Sequence, residues 1–202
     1  MRRHETQKDQ VVRLAREKGI LRIRDVRNAG LHPETVRRMC QQGVLEKAGS
    51  GLYRLADADI TMHHTFALAS KKAPQGVVCL LSALLFHEIS TQLPHQVWMA
   101  FPRTARAPKL EYPRLRVVRF SQASLDAGIE VHYIENVRVQ VTVPAKTIAD
   151  CFKFRNKIGL EAALDALRDG IQDRKCTRDD VWHYARINRV GSVIEPFLEA
   201  IQ

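Results

Sequence analysis

Residues 19–55, GILRIRDVRNAGLHPETVRRMCQQGVLEKAGSGLYRL, change hydrophobic period once, near Gly43, and that change decides how the N-terminal part folds. Before it the spacing is helical. Ile23, Val26 and Ala29 face inward on a short helix that Gly30 ends, and a second helix opens at His32-Pro33. Proline suits a first helical position because its missing N–H would have had no partner there. Val36, Met39 and Cys40 recur at i, i+3, i+4, which makes one narrow apolar stripe; Thr35, Arg37, Arg38, Gln41 and Gln42 take the other faces. After Gly43 the runs Val44–Lys47 and Leu52–Leu55 flank Ala48-Gly49-Ser50-Gly51, whose glycines supply the positive φ of a tight hairpin turn. Upstream, Val11, Val12, Leu14 and Ala15 form a helix able to cover the other two. Three helices and a hairpin in this order read as a winged helix-turn-helix.

Charge points to the partner of such a module. Residues 1–58 hold thirteen Lys and Arg against seven Asp and Glu, which is +6 of the chain's formal +10. A polyanion is the natural counterpart, because phosphate neutralisation and counterion release supply most non-specific nucleic-acid affinity. Duplex DNA fits better than RNA. One helix is available for a major groove, and Tyr53 is the segment's only aromatic, so there is no stacking platform for single strands. The base-reading candidates are His32, Thr35, Arg37 and Arg38 on the second short helix, whose N-terminal end such proteins present to base edges, and Gln41 on its exposed side counts as a further DNA contact. Lys47, Ser50 and Arg54 on the wing, with Arg22 and Arg24 before the first short helix, read as phosphate anchors. A merely solvated basic face is the other reading of these arginines.

The remainder, residues 59–202, alternates element types. A helix runs from about Thr61 to Lys72. Val77–Leu80 reads as a short buried strand, followed by a helix capped by Ser82. Val97–Phe101 and Leu115–Val118 are strand-like, and Ile129–Ile134 meets Val137–Val143 across Glu135-Asn136 in a cleanly alternating hairpin. Helices follow over Ala145–Phe154, Leu160–Asp169, Asp179–Ile187 and Val193–Ile201. The chain is thus expected to be α+β. A winged head over residues 1–58 precedes a mixed α/β domain with a mostly antiparallel sheet and a helical C-terminal third.

Catalytic and metal chemistry find little support. Cys40, Cys79, Cys151 and Cys176 are scattered with no CxxC pair, and they read as small buried hydrophobes of a reducing cytoplasm. His63-His64 are adjacent and point different ways on a helix, while His87 and His95 lack a partner at ligand spacing. No nucleophile elbow, P-loop or dinucleotide fingerprint occurs. Asp173-Arg174-Lys175 has the acid-x-lysine spacing of a metal-dependent nuclease, but it falls between expected helices rather than on a strand. No catalytic residues, metal or cofactor are expected. The apolar run Val77–Phe86 is too short for a membrane span, and the N terminus lacks the apolar core of a secretory signal, so a cytoplasmic protein is expected.

Several blocks carry a resemblance. Residues 19–55, VVCLLSALLFHEI at 77–89, VWMAFP at 97–102, VPAKTIADCFKFRNKIGLEAALDALRD at 143–169 and RVGSVIEPFLEAI at 189–201 together resemble the AbiEi-type antitoxins of bacterial abortive-infection systems. The winged segment is shared with many repressors; AKTIADCFKFRNKIG is the more specific block. The resemblance implies an antitoxin and autorepressor in a type IV toxin-antitoxin operon for phage defence. Its head would bind inverted repeats in its own promoter, with self-association on the DNA. Its second domain would counteract a cognate nucleotidyltransferase toxin, a functional partner with which no stable complex is implied. Lys146, Asp150, Lys153, Arg155 and Lys157 cluster in the specific block. Their spacing reads as an i, i+4 ion pair and a basic helix end, and the resemblance adds the reading of a toxin-neutralising patch. A plain winged-helix repressor whose second domain senses a ligand or dimerises is the alternative from another class.

Overall fold

The computed structural model describes residues 5–89 and 93–201. Arg2 and Arg3, counted in the head's charge, lie outside the described residues. The chain divides into two units: Met1–Pro74 with Leu110–Pro113 and Tyr133–Val139, and Gln75–Lys109 with Arg114–His132 and Gln140–Gln202. The boundary expected at residues 58–60 therefore falls inside the first unit, because the helix α4 (His64–Lys72) belongs with it.

The first unit begins with α1 (Gln7–Lys18). Thr6 and Asp9 cap it reciprocally, the Asp9 amide donating to Thr6 Oγ1 at 3.2 Å and the Thr6 amide to Asp9 Oδ2 at 3.1 Å. Then follow β1 (Leu21–Arg22), α2 (Ile23–Asn28), α3 (Pro33–Gln41), β2 (Leu45–Gly49) and β3 (Leu52–Leu55). The strands form an antiparallel sheet in the order β1-β3-β2. β1 is an addition to the expected hairpin; two residues carry no period by which to recognise a strand. Val11, Ala15, Leu21, Val26, Val36, Met39 and Leu45 close the core between sheet and helices. Ala29, expected to face inward, is exposed, because α2 has already ended at Asn28.

The second unit is built on the sheet β6-β5-β4-β8-β7. The strands of this sheet are β4 (Val77–Val78), β5 (Val97–Pro102), β6 (Leu115–Phe120), β7 (Ile129–Ile134) and β8 (Val137–Thr142), the stretch Tyr133–Val139 being counted with the first unit. β4 runs antiparallel to β5 but parallel to β8, and β5 runs parallel to β6. The sheet is mixed, not mostly antiparallel. Alternation marks a segment as strand and leaves its partner open, and the β5–β6 connection turns out to be a crossover rather than a hairpin.

Helices α5 (Leu80–Phe86), α6 (Gln122–Leu125), α7 (Pro144–Lys153), α8 (Arg155–Ile158), α9 (Leu160–Gln172), α10 (Arg178–Asn188) and α11 (Gly191–Ala200) complete the chain. Cys79 occupies the cap position of α5. Ser82 lies inside that helix, where its Oγ accepts the Trp98 amide at 2.9 Å, so the expected cap is instead a helix-to-strand tie. α7 is the axis of the unit, with every residue from Ala145 to Phe152 buried. It packs on α5, α9, α10 and α11, and Ile148, Ala149, Cys151 and Phe152 join the main core.

Candidate nucleic-acid interface

Helix α3 is held by its first turn. His32 Nδ1 accepts the Glu34 amide at 3.2 Å, Pro33 takes the first helical position, and Thr35 Oγ1 donates to Gln7 Oε1 of α1 at 3.0 Å. Val36 and Met39 are buried at 1% exposure each, which turns Arg37, Arg38 and Gln41 to solvent. Arg37 reaches Glu34 at 3.8 Å in an exposed pair, an arrangement worth little in water. Arg24, Lys47 and Ser50 are also exposed. His32 and Thr35 thus act first as positioning groups for the helix, while Arg38 and Gln41 stand on its outer surface.

Arg54 must be reassigned. It is 8% exposed, pairs with Glu46 of the facing strand and donates to the Ala58 carbonyl at 2.7 Å. It fastens the hairpin to the segment that follows and presents no charge to a ligand. Arg22 is half-buried beside Asp25, so it too serves the unit's own structure.

Sequence reading missed Asp25. Its carboxylate accepts the Arg22 amide at 2.8 Å and has Lys18 Nζ at 3.6 Å and Lys71 Nζ at 3.9 Å. Burial pushes the Asp25 carboxyl up, but the Arg22 amide and the Lys71, Lys18 and Arg22 charges outweigh that and hold it below its ordinary value. Burial also brings Lys71 down to about 8, against the pull of Asp25. A lone acid followed by a helix stripe is the only sequence hint of such an anchor. Because the folded pKa of Asp25 is depressed, its stabilisation is present above the ordinary carboxylate range and is lost as pH falls through the lower folded value. Asp25→Asn is expected to cost about 2 kcal/mol at neutral pH, the scale of hydrogen bonds to charged groups, and to flatten the acid limb of stability measured by urea titration from pH 7 to pH 2.

The cluster in the specific block is divided: Lys146 and Asp150 are interior, Lys153 and Arg155 are half-buried, and Lys157 is exposed. Lys146 and Asp150 are 1% and 0% exposed. Lys146 Nζ donates to Asp150 at 3.0 and 2.8 Å and to Ser124 Oγ at 3.1 Å, and lies 4.8 Å from the centre of the Phe120 ring. Asn188 Nδ2 donates to Asp150 Oδ1 at 2.7 Å, and its Oδ1 accepts from Ser124 Oγ at 3.1 Å and from Lys153 Nζ at 3.3 Å. Burial raises the Asp150 carboxyl, opposed by Lys146 and Asn188. Arg155 caps the end of α7 by donating to the Phe152 carbonyl at 2.9 Å, and Lys157 lies 5.7 Å from the Phe154 ring. The i, i+4 spacing made Lys146 and Asp150 neighbours but could not say that other elements would cover their face. Asp173-Arg174-Lys175 is the exposed turn after α9.

Residues 9–56 match the family described as transcriptional regulator, AbiEi antitoxin. The AbiEi match begins in α1 and ends just after β3, so it covers the three helices and three strands described above. Beyond the AbiEi-matching segment, the whole chain is similar in fold to the crystal structure of the RV2827C protein from Mycobacterium tuberculosis. The TM-score is 0.57 at 14% identity, over 100% of this chain and 84% of that one. No curated protein matches the sequence. Among the described residues no helix is long and apolar enough to cross a membrane, and no three His, Cys, Asp or Glu side chains are grouped to hold a metal ion.

Proposed function

We propose that the first unit is a winged helix-turn-helix reader of duplex DNA, that it represses its own operon at inverted repeats, and that the chain serves there as the antitoxin to a nucleotidyltransferase toxin. One observation carries the reading. In a segment matching AbiEi regulators, α3 buries Val36 and Met39 while Arg37, Arg38 and Gln41 stand exposed on its outer surface. An arginine in that position can fork onto the O6 and N7 of a guanine, and Lys47 and Ser50 on the hairpin can hold the neighbouring backbone.

Arg38→Ala is expected to weaken binding to the upstream region by about 1 to 3 kcal/mol while leaving affinity for random duplex nearly unchanged. Lys47→Ala is expected to weaken both alike and to reduce the salt dependence. Titration of labelled duplexes at several salt concentrations measures both effects. The absence of any salt-sensitive preference for the upstream region would remove the reading. The antitoxin part is tested with the full chain: co-expressed with the toxin, Arg38→Ala is expected to lose promoter repression and keep growth rescue. Loss of both together would mean that repression alone accounts for the protection.

A further inference from the structure

The second unit contains a cleft of about 620 Å³ that the reading above leaves unused. Three cations from separate parts of the chain line it: Arg103 just after β5, Lys153 at the end of α7 and Arg189 at the end of α10. Thr104, Ser121 and Asn188 add hydrogen-bonding groups, and among the described residues no Asp or Glu lines the cleft. Among the described residues, none of the three cations has a carboxylate within ion-pairing distance.

The site is held in place by its surroundings. Arg119 Nη1 donates to the Pro102 and Ala105 carbonyls at 2.9 and 2.6 Å, which pins the turn that carries Arg103. Lys153 is set by its bond to Asn188 Oδ1, and Asn188 is itself fixed by Asp150. Burial lowers the Lys153 amine, Asp150 opposes this, and Lys146, Arg103 and Arg189 lower it further. Arg189 sits in the left-handed region at φ 58°, where a helix end usually takes glycine. Arg103 and Arg189 are exposed and Lys153 is half-buried; like charges gathered in one concave space repel one another, and a bound anion reduces that cost. Two guanidiniums and an ammonium supply the charge and the donors that phosphate oxygens accept, and the volume is that of a small-molecule site.

We propose that this cleft binds a phosphorylated small molecule, whose phosphate is held by Arg103, Lys153 and Arg189. The site is separate from the DNA-reading surface and does not rest on it. Inorganic pyrophosphate titrated into the full-length protein by calorimetry is the test. One saturable site is expected, with a raised Tm. Arg189→Gly removes one of the three charges while relaxing the backbone, so it is expected to weaken pyrophosphate at least about tenfold. The unliganded Tm should be unchanged or higher, and operator binding should be as in the parent. Lys153→Met is expected to weaken pyrophosphate by a similar factor.

Arg38→Ala separates this site from the head. Pyrophosphate binding that survives Arg189→Gly but falls with Arg38→Ala would put the anion on the DNA-reading surface and overturn the proposal. An absence of saturable binding would overturn it as well. Duplex DNA supplies the other source of phosphate. If a duplex displaces pyrophosphate and is itself weakened by Arg189→Gly, the cleft is a DNA-backbone contact and the small-molecule assignment falls.

Discussion

Lys146→Met is expected to lower the stability of the protein by about 3 to 5 kcal/mol, the scale for leaving one member of a buried ion pair without its partner. The lysine is almost wholly buried and its ammonium has three oxygen acceptors, two on Asp150 and one on Ser124. Methionine keeps the length of the side chain and removes the charge. Asp150 then retains Asn188 as its buried donor. An ionised carboxylate in that position is strained by desolvation, so its pKa rises further. With the folded pKa raised above the unfolded one, the deficit is fully present at neutral pH and shrinks as pH falls toward the ordinary carboxylate range. Urea unfolding at pH 7 and at pH 4.5 reads both features. The double variant Lys146→Met with Asp150→Leu is expected to recover most of the loss, since buried pairs replaced together by apolar groups are often neutral. If the double variant were as unstable as the sum of the singles, the pair would not be the coupled unit described.

Gly19→Ala is expected to cost about 2 to 4 kcal/mol, through lost hydrogen bonds to a charged group and an unfavourable φ. Gly19 has φ +62°, and an added Cβ would lie 1.5 Å from the Glu135 carbonyl oxygen, an overlap that only backbone movement can relieve. Glu135 and Asn136, both at positive φ, form the turn between β7 and β8, and this turn belongs to the first unit. Its carboxylate accepts from the Thr61 amide at 2.9 Å and the Thr61 hydroxyl at 3.1 Å, with His64 Nδ1 at 2.6 Å, and Asn136 donates to the Arg16 carbonyl at 2.8 Å. Displacing the turn breaks these together. Hydrogen exchange is expected to show the Thr61 amide losing protection, alongside the lowered urea midpoint. Gly30→Ala is the control. Its φ is +73° but nothing lies within 4 Å of the added Cβ, so only the backbone penalty of about 1 kcal/mol applies. Equal losses at the two positions would show that the close approach to Glu135 contributes nothing.

The outer face of α3 was legible in the sequence because the helix is amphipathic, with one side buried against the rest of the unit. Val36 and Met39 had to face the core, and the arginines between them had to face away. The hairpins were legible as well, although not by their turn residues alone: in the wing only Gly51 has positive φ while Gly49 lies in β2, and the β7–β8 turn takes its positive φ at Glu135 and Asn136, where strand alternation was the signal. Arg54 shows where reading by residue type goes astray. In β3 it shares the period-two face of the buried Leu52, so the strand rule already pointed it inward, against the expectation that an arginine on a wing meets phosphate. The cationic cleft was not legible at all. Arg103, Lys153 and Arg189 are far apart in the chain, and only the packing of α7 and α10 against the end of the sheet brings them to one space.

What the sequence by itself determined is local: which segments are helix or strand, where the turns fall, and that the basic excess gathers in the first 58 residues. Those follow from periodicity and backbone preference, which act over a few residues. Only the tertiary structure decided that Lys146 and Asp150 are interior, that the sheet is mixed, and that Gly19 must lack a side chain. Each of these depends on which distant segment arrives to cover a surface, and a residue's own neighbours along the chain carry no record of that.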